Sequence, residues 1–174
     1  MSANDPTVAE YMTALPATAD VGLRLADAEE RMTMDNIRHL VVMREGHVVG
    51  VLSNRDIAVA LSTPGTDAKK LLVGDAMSER PYACAPTTRL SEVALAMEAN
   101  RWGCALVIEG EDVVGVFTTT DALRALRALA TGRPAEPATR AQHMPPAEPE
   151  PPRHFKLPKH RPITVTTGIF NAGS

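Results

Sequence analysis

Two short stretches of the chain place a hydroxyl and a carboxylate three residues apart, directly after an apolar run that contains a glycine. The first stretch is VVGVLSNRDIAVAL, residues 48–61, and the second is VVGVFTTTDALRAL, residues 113–126. Each contains the pattern S/T-x-x-D, with Ser53 and Asp56 in one copy and Thr118 and Asp121 in the other. A hydroxyl and an acid at this spacing resemble a helix capping box, and such a cap stabilises a helix by about 1 kcal/mol.

The same groups also have the chemistry of a ligand site. A helix that begins directly after a strand points free N–H groups into the cleft beside the sheet, where an anion can bind. A carboxylate there offers two acceptor oxygens, which match the two hydroxyl groups of a ribose. Gly50 and Gly115 would allow a second backbone or a ligand to approach closely. The pattern therefore leaves capping and ligand binding both open, and the two are compatible.

The two copies differ at the residue just before the aspartate, which is Arg55 in the first copy and Thr120 in the second. Arg gives phosphate a permanently charged, bidentate partner, whereas Thr offers one neutral hydroxyl. If Arg55 points inward, the copy with Ser53, Arg55 and Asp56 should bind phosphate-bearing ligands roughly tenfold better or more.

Two further side chains are candidate ligand contacts. His39 begins a predicted strand and corresponds to Cys104 in the second copy, so it either packs as a neutral side chain or contacts a ligand in the cleft. Trp102 is the only tryptophan and precedes a predicted strand, so it either packs in the core or an interface or contacts a ligand. The histidines of the C-terminal region, His143, His154 and His160, lack the close spacing of a metal site.

The repetition extends well beyond the two motifs. An offset of 65 residues aligns residues 8–61 with residues 73–126 without a gap. The identical pairs include Val8/Val73, Met12/Met77, Pro16/Pro81, Arg24/Arg89, Leu25/Leu90, Met32/Met97, Val42/Val107, Gly50/Gly115 and Asp56/Asp121. Self-similarity at a fixed period over this length indicates a duplicated structural unit.

The same series of elements is predicted in each repeat. A short amphipathic turn is followed by an extended piece, a helix, a hairpin with Gly in its turn, and a final helix that begins at S/T-x-x-D. Apolar residues fall on one face of the first helix of each repeat, at Leu25, Ala28 and Met32 and at Leu90, Val93, Ala94 and Met97. Thr88 is the expected N-cap of the helix in the second repeat. The fold class is therefore α+β, with two β-α-β-β-α units that pack together with pseudo-two-fold symmetry.

Composition excludes several classes of protein. The formal net charge is −3, so no global field favours nucleic acid or an anionic membrane. No apolar run approaches the roughly 20 residues of a membrane span, and the N-terminus lacks the features of a secretion signal. The two cysteines, Cys84 and Cys104, form no C-x-x-C pair and read as buried thiols. We expect a cytoplasmic protein with no metal site and no enzyme signature.

The C-terminal quarter has a different composition. Nine of the 14 prolines fall between Pro134 and Pro162, and no apolar period is present there. We expect the chain from about Arg133 to Pro152 to lack regular secondary structure, while Ile163–Thr167 either adds a strand or remains unstructured. The predicted division is residues 5–63 for the first repeat, 70–130 for the second, and 131–174 for a Pro-rich linker and basic tail.

The ordered pattern resembles the cystathionine β-synthase (CBS) domain family, arranged as a tandem pair, or Bateman module. The resemblance rests on three features that occur in both copies over residues 5–128: the V-x-x-x-M-T/S start, the Pro before the first strand, and the end G-V-h-S/T-x-x-D, where h is apolar.

Membership of this family would imply a non-catalytic regulatory module. Such pairs bind AMP, ADP, ATP or S-adenosylmethionine, with or without Mg²⁺, between the two repeats, and they require no cofactor. By position, the resemblance assigns phosphate and ribose binding to Ser53 and Asp56 in the first copy and to Thr118 and Asp121 in the second. It also implies that Arg55 can face phosphate, that the chain forms a homodimer through its helices, and that an unidentified effector protein receives the signal.

Two rival hypotheses remain open. The first is a ligand-free interaction module, in which the motifs are only helix caps and the C-terminal tail binds a partner. The second is an enzyme without a recognised signature, such as a nucleotide hydrolase. A change of melting temperature with nucleotide would separate the sensor from the first rival, and release of product from ATP would identify the second.

Overall fold

The computed structural model describes residues 5–133, which contain both repeats. The first repeat comprises a 3-10 turn (Val8–Glu10), strands β1 (Thr13–Ala14), β2 (Thr18–Asp20), β3 (His39–Arg44) and β4 (His47–Ser53), and helices α1 (Leu25–Met34) and α2 (Asn54–Leu61). The second comprises helices α3 (Val73–Ala76), α4 (Leu90–Asn100) and α5 (Thr119–Thr131) and strands β5 (Ala83–Cys84), β6 (Cys104–Glu109) and β7 (Asp112–Thr118). The α+β class and the predicted order of elements are confirmed in both repeats.

Each repeat contains an antiparallel hairpin of the same register. His39 lies opposite Ser53 in the first hairpin, and Cys104 lies opposite Thr118 in the second. The turn of the first hairpin contains Gly46 at a φ of 79°, a backbone conformation that glycine adopts without strain. The register therefore places His39 and Cys104 beside the residues that start α2 and α5.

The repeats exchange the short extended segments at Thr13 and Ser78. β1 of the first repeat pairs with β7 of the second, with Thr13 opposite Val116, and Ser78 of the second repeat forms the equivalent bridge to Val51 of the first. The result is one four-stranded sheet in the order β1-β7-β6-β5 and one three-stranded sheet in the order β2-β3-β4. This reciprocal exchange was not predicted from the sequence, because the repeat pattern gives the order of the strands and not their partners.

The two glycines of the repeated motif allow this exchange. A Cβ on Gly50 would lie 2.6 Å from the carbonyl oxygen of Ser78, and a Cβ on Gly115 would lie 2.9 Å from that of Thr13. Both positions therefore have the same environment, as the duplication requires. The close approach that the sequence suggested is made by the exchanged backbone.

The apolar core has three parts. The predicted faces of the first helices are buried, with Leu25, Ala28 and Met32 in one cluster and Leu90, Val93 and Met97 in another. Val73 packs into the cluster of the first repeat and Val8 into that of the second, so the exchanged segments complete each core. A third cluster joins the two sheets and is formed by Val41, Val48, Val51, Ala83, Cys104, Leu106, Ile108 and Val113.

The prediction of Thr88 as an N-cap is wrong. Its hydroxyl accepts a hydrogen bond from the backbone N–H of Ala85, and α4 begins after Arg89. The N-terminal segment caps this helix instead, because the Asp5 carboxylate accepts hydrogen bonds from the backbone N–H and the hydroxyl of Ser91. At the start of α1, the carbonyl of Leu71 accepts from the N–H of Leu25. Both caps come from the exchanged partner segment, which no local pattern reveals.

The predictions for the Pro-rich linker beyond residue 133 and for Ile163–Thr167 lie outside the described residues. Within residues 5–133, no helix is long and apolar enough to cross a membrane. The division of the chain at residues 63, 70 and 130 remains a prediction.

Candidate functional site

Both S/T-x-x-D patterns are capping boxes. Ser53 is the N-cap of α2, and its backbone N–H and hydroxyl donate to Oδ2 of Asp56 at 2.8 Å and 2.5 Å. Thr118 is the N-cap of α5, and its equivalent groups both donate to Oδ2 of Asp121 at 2.7 Å. Oδ2 of each aspartate is therefore used in the helix cap. Whether the site can bind a ligand depends on the hydrogen bonds that the other oxygen, Oδ1, already makes.

In the second repeat, Oδ1 of Asp121 is fully engaged. It accepts a hydrogen bond from the Thr13 hydroxyl at 3.3 Å and from Nη2 of Arg124 at 2.6 Å. Arg124 also donates from Nη2 to the backbone carbonyl of Tyr11 at 2.6 Å. Only 3% of Asp121 is exposed, so this carboxylate is buried within a closed network.

In the first repeat, Oδ1 of Asp56 has far weaker partners. Among the described residues, its hydrogen-bond donor is the Ser78 hydroxyl at 3.5 Å, which is at the outer limit for such a bond. The residue that corresponds to Arg124 is Val59, whose side chain is 64% exposed and cannot donate. Because Asp56 is also half-buried rather than buried, its free oxygen can accept hydrogen bonds from a ligand.

His39 lies where the two repeats meet. A Cβ on Gly103 would lie 2.8 Å from Nε2 of His39, so the loop before β6 packs directly against this imidazole. Burial holds the pKa of His39 below its ordinary value of 6.5, and the Asp56 and Asp121 carboxylates both oppose that shift. Both motif carboxylates therefore act on one neutral imidazole, which places the two helix starts around a common centre.

Cys104 occupies the position equivalent to His39 and is buried at the same centre. Burial raises the pKa of its thiol to about 12, and the Asp56 carboxylate adds to the shift. Burial likewise raises the pKa of Cys84 to about 11. Both thiols are free and buried, as predicted, and neither has the lowered pKa of a nucleophile.

The other predicted ligand contacts, Arg55, Thr120 and Trp102, have exposed side chains. Arg55 and Thr120 are both exposed on the first turns of α2 and α5. Trp102 is 39% exposed and stacks on Tyr82, with ring centroids 4.8 Å apart. Trp102 therefore packs on Tyr82 with one face, and part of its ring system remains open to solvent.

A groove of about 750 Å³ lies away from the repeated motifs. It runs between the first turn of α4, the outer face of α5 and the N-terminal segment, and its lining includes Asp5, Leu90, Leu126 and Leu129. None of the Ser, Thr or Asp residues of the S/T-x-x-D motifs lines it. Within residues 5–133, no group of three His, Cys, Asp or Glu residues could hold a metal ion.

Three residues of the site were not singled out by the sequence analysis. Thr13 and Ser78 reach the motif carboxylates from the exchanged segments, 108 and 22 residues away in the chain, so no local spacing links them to the motifs. Arg124 could have been found, because residues three apart on a helix lie side by side and an acid and a base at that spacing often pair.

The family model for the CBS domain matches residues 8–63 and 73–128. The chain therefore belongs to the CBS domain family, and it is a tandem CBS pair, or Bateman module. It is 29% identical over 105 residues to the CBS domain-containing protein CBSX3, mitochondrial, of Arabidopsis thaliana. That match covers 58% of this chain and 51% of the plant protein, so the chain spans about half the length of this relative.

Solved structures share the fold. The CBS domain pair of MJ0100, solved in complex with 5′-methylthioadenosine and S-adenosyl-L-methionine, aligns with a TM-score of 0.65 at 24% identity, covering 72% of this chain and 98% of that one. CBSX2, solved in complex with AMP, aligns with a TM-score of 0.62 at 23% identity, covering 74% of this chain and 99% of that one. At these identities the likeness concerns the fold.

Proposed function

We propose that this CBS pair is a non-catalytic sensor that binds an adenine nucleotide or a related adenosyl ligand in the cleft between its repeats. The observation that carries this proposal is the half-buried carboxylate of Asp56, which keeps one acceptor oxygen available beside a helix N-terminus. The ligands held by MJ0100 and CBSX2 support the choice of ligand class, namely AMP, ADP, ATP or S-adenosylmethionine, with or without Mg²⁺.

The predicted site residues fall at two junctions. In the first, Ser53 holds the helix N-terminus that faces phosphate, and Asp56 is the acceptor for ribose hydroxyls. Thr118 and Asp121 are the corresponding residues of the second junction. The exposed side chain of Arg55 would turn inward to meet phosphate, and Thr120 is the residue that corresponds to it at the second junction. His39 and Trp102 would contact the ligand from the neighbouring strand and loop.

A direct test is the binding of adenosine and AMP to Asp56→Ala by calorimetry. Removal of the acceptor should weaken both ligands by roughly tenfold or more, since a hydrogen bond to a charged group contributes about 1.5–3 kcal/mol. If both Asp56→Ala and Asp121→Ala bind as the unchanged protein does, the motifs are helix caps and the proposal is wrong.

The capping hydrogen bonds of both motifs keep a ligand-free interaction module as the second candidate. A thermal-shift panel of AMP, ADP, ATP, S-adenosylmethionine and NAD, with and without Mg²⁺, separates the two, because a ligand that binds only the folded state raises the melting temperature. Incubation with ATP and analysis of the products tests hydrolysis in the same experiment.

A sensor without chemistry must pass its signal to another chain, and we propose a homodimer that acts on an effector protein. The outer face of α5 supports self-association, because Leu123, Leu126 and Leu129 are 66%, 62% and 42% exposed. Three leucines on one helix, next to the groove, form an apolar surface suited to a second copy of the chain. The proposed location is the cytoplasm.

A further inference from the structure

The two S/T-x-x-D junctions differ in the helix residue three positions after the aspartate. In α5 that residue is Arg124, and in α2 it is Val59. We propose that Arg124 closes the second junction by occupying Asp121, so that each chain binds one adenosyl ligand, at Ser53 and Asp56. This inference rests on the proposed function. It attributes the difference between the two junctions to Arg124, which follows the aspartate, and not to the residue just before the aspartate.

Both oxygens of the Asp121 carboxylate already accept two hydrogen bonds each. Oδ2 of Asp121 receives two hydrogen bonds from Thr118, and Oδ1 receives one from Thr13 and one from Arg124. A ribose hydroxyl would therefore have to displace an existing donor. The side chain of Asp121 is 4% exposed and that of Arg124 is 16% exposed, so displacement of the guanidinium would leave a buried carboxylate without its cation.

Arg124 also links α5 to the exchanged segment. Nη2 of Arg124 also holds the carbonyl of Tyr11, which precedes β1, so the guanidinium joins α5 to the strand that the first repeat contributes. Nε of Arg124 is buried with no hydrogen-bond partner among the described residues. The two hydrogen bonds that orient the guanidinium are therefore those made by Nη2. Entry of a ligand would have to open both bonds.

The matched position in the first repeat has no cationic side chain. Val59 is exposed and its side chain has no donor, and Ala76 is the residue that corresponds to Tyr11. Asp56 keeps Oδ1 with a single long contact to Ser78. The two junctions therefore share a capping box, an exchanged hydroxyl and a helix N-terminus, and they differ in whether an arginine fills the remaining acceptor.

The test is a reciprocal exchange of the two residues, with AMP as the probe. Calorimetry and native mass spectrometry should give one AMP per chain for the unchanged protein and two for Arg124→Val. Val59→Arg should place a guanidinium three residues after Asp56 and weaken AMP at the first junction by roughly ten- to a hundredfold. Asp56→Ala identifies the junction that the first AMP occupies.

The outcomes separate this inference from the proposed function. Two AMP on the unchanged protein, or one AMP on folded Arg124→Val with the affinity unchanged, would overturn the role of Arg124 and leave the sensor in place. If circular dichroism shows that Arg124→Val does not fold, Val59→Arg provides the test, because Val59 is exposed and its replacement should be tolerated. An unchanged affinity of Val59→Arg for AMP would then overturn the role of Arg124. If neither the unchanged protein nor Arg124→Val binds AMP, adenosine or S-adenosylmethionine, the proposed function itself is wrong.

Discussion

At the scale of single residues, His39 shows how the meeting of two repeats changes the chemistry of a side chain. Its imidazole is covered by the loop of the other repeat, and it lies within the field of Asp56 and Asp121, with Arg38 adjacent in the chain. Burial dominates and favours the neutral form. A neutral His39 has one ring nitrogen that donates a hydrogen bond and one that accepts, which suits contact with a ligand.

The lowered pKa of His39 predicts a dependence of stability on pH. Below the ordinary value of 6.5 the unfolded chain binds a proton that the folded chain does not, so the free energy of unfolding should fall as the pH decreases from about 7 to about 5. The measurement is urea unfolding across this range for the unchanged protein and for His39→Gln, which cannot be protonated. The free energy of unfolding should change less with pH in the variant than in the unchanged protein. An equal change in both would show that His39 is not the source of the pH dependence.

The raised pKa values of the two thiols predict slow modification. With pKa values of about 11 and about 12 for Cys84 and Cys104, few thiolates exist near pH 8, and both side chains are buried. A chromogenic disulfide reagent should therefore leave both unmodified in the folded protein and modify both in urea. Rapid reaction of one thiol before unfolding would contradict this assignment.

Arg55 should distinguish phosphate from ribose. Arg55→Ala should weaken ATP or ADP by roughly tenfold or more and leave adenosine almost unchanged, because a guanidinium contacts phosphate alone. Thr120→Ala is the matched control at the second junction and should change neither affinity. Calorimetry with ATP and adenosine measures both effects, and an unchanged ATP affinity in Arg55→Ala would show that its side chain stays on the helix surface.

At the scale of elements, the exchanged segments are the feature that positions the site. β1 and the segment around Ser78 each lie beside the last strand of the other repeat, and their hydroxyls reach the motif carboxylates. The same segments complete the apolar clusters and cap α1 and α4. Each half of the site therefore contains groups from both repeats, and neither repeat builds its half alone.

The two glycines of the motif provide a test of the exchange. Gly50→Ala would bring a Cβ within 2.6 Å of the Ser78 carbonyl, and we expect a loss of stability of about 1–3 kcal/mol, as for an overpacked core. Gly115→Ala should behave similarly, because its Cβ would approach the Thr13 carbonyl. Urea unfolding measures both.

The control for this test is Gly46→Ala, where no atom lies within 4 Å of a Cβ and only the positive φ opposes the substitution. It should destabilise the protein by about 1–2 kcal/mol without affecting the exchange. If Gly50→Ala retains the full stability of the unchanged protein, the close approach of the exchanged backbone is not maintained in solution.

At the scale of the whole molecule, the apolar surface of α5 predicts self-association. Leu126→Glu should place a charge at the centre of the proposed interface and shift the protein from dimer to monomer in sedimentation equilibrium. Leu15→Glu, which changes another exposed leucine between β1 and β2, should leave the association state unchanged. If both variants sediment as the unchanged protein does, the α5 face is not the interface.

The sequence by itself determined the repeat, the order of the elements and the helix caps at Ser53 and Thr118, because apolar periodicity and capping act within a few neighbouring residues. It also indicated the family, since the ordered motif recurs at a fixed offset. The helix spacing of Asp121 and Arg124 could also have predicted their ion pair. The tertiary structure alone decided that the segments at Thr13 and Ser78 are exchanged, that Asp5 rather than Thr88 caps α4, and that Thr13 engages Asp121. These contacts join residues far apart in the chain, and which of two equivalent carboxylates stays open depends on the three-dimensional neighbours that each one meets.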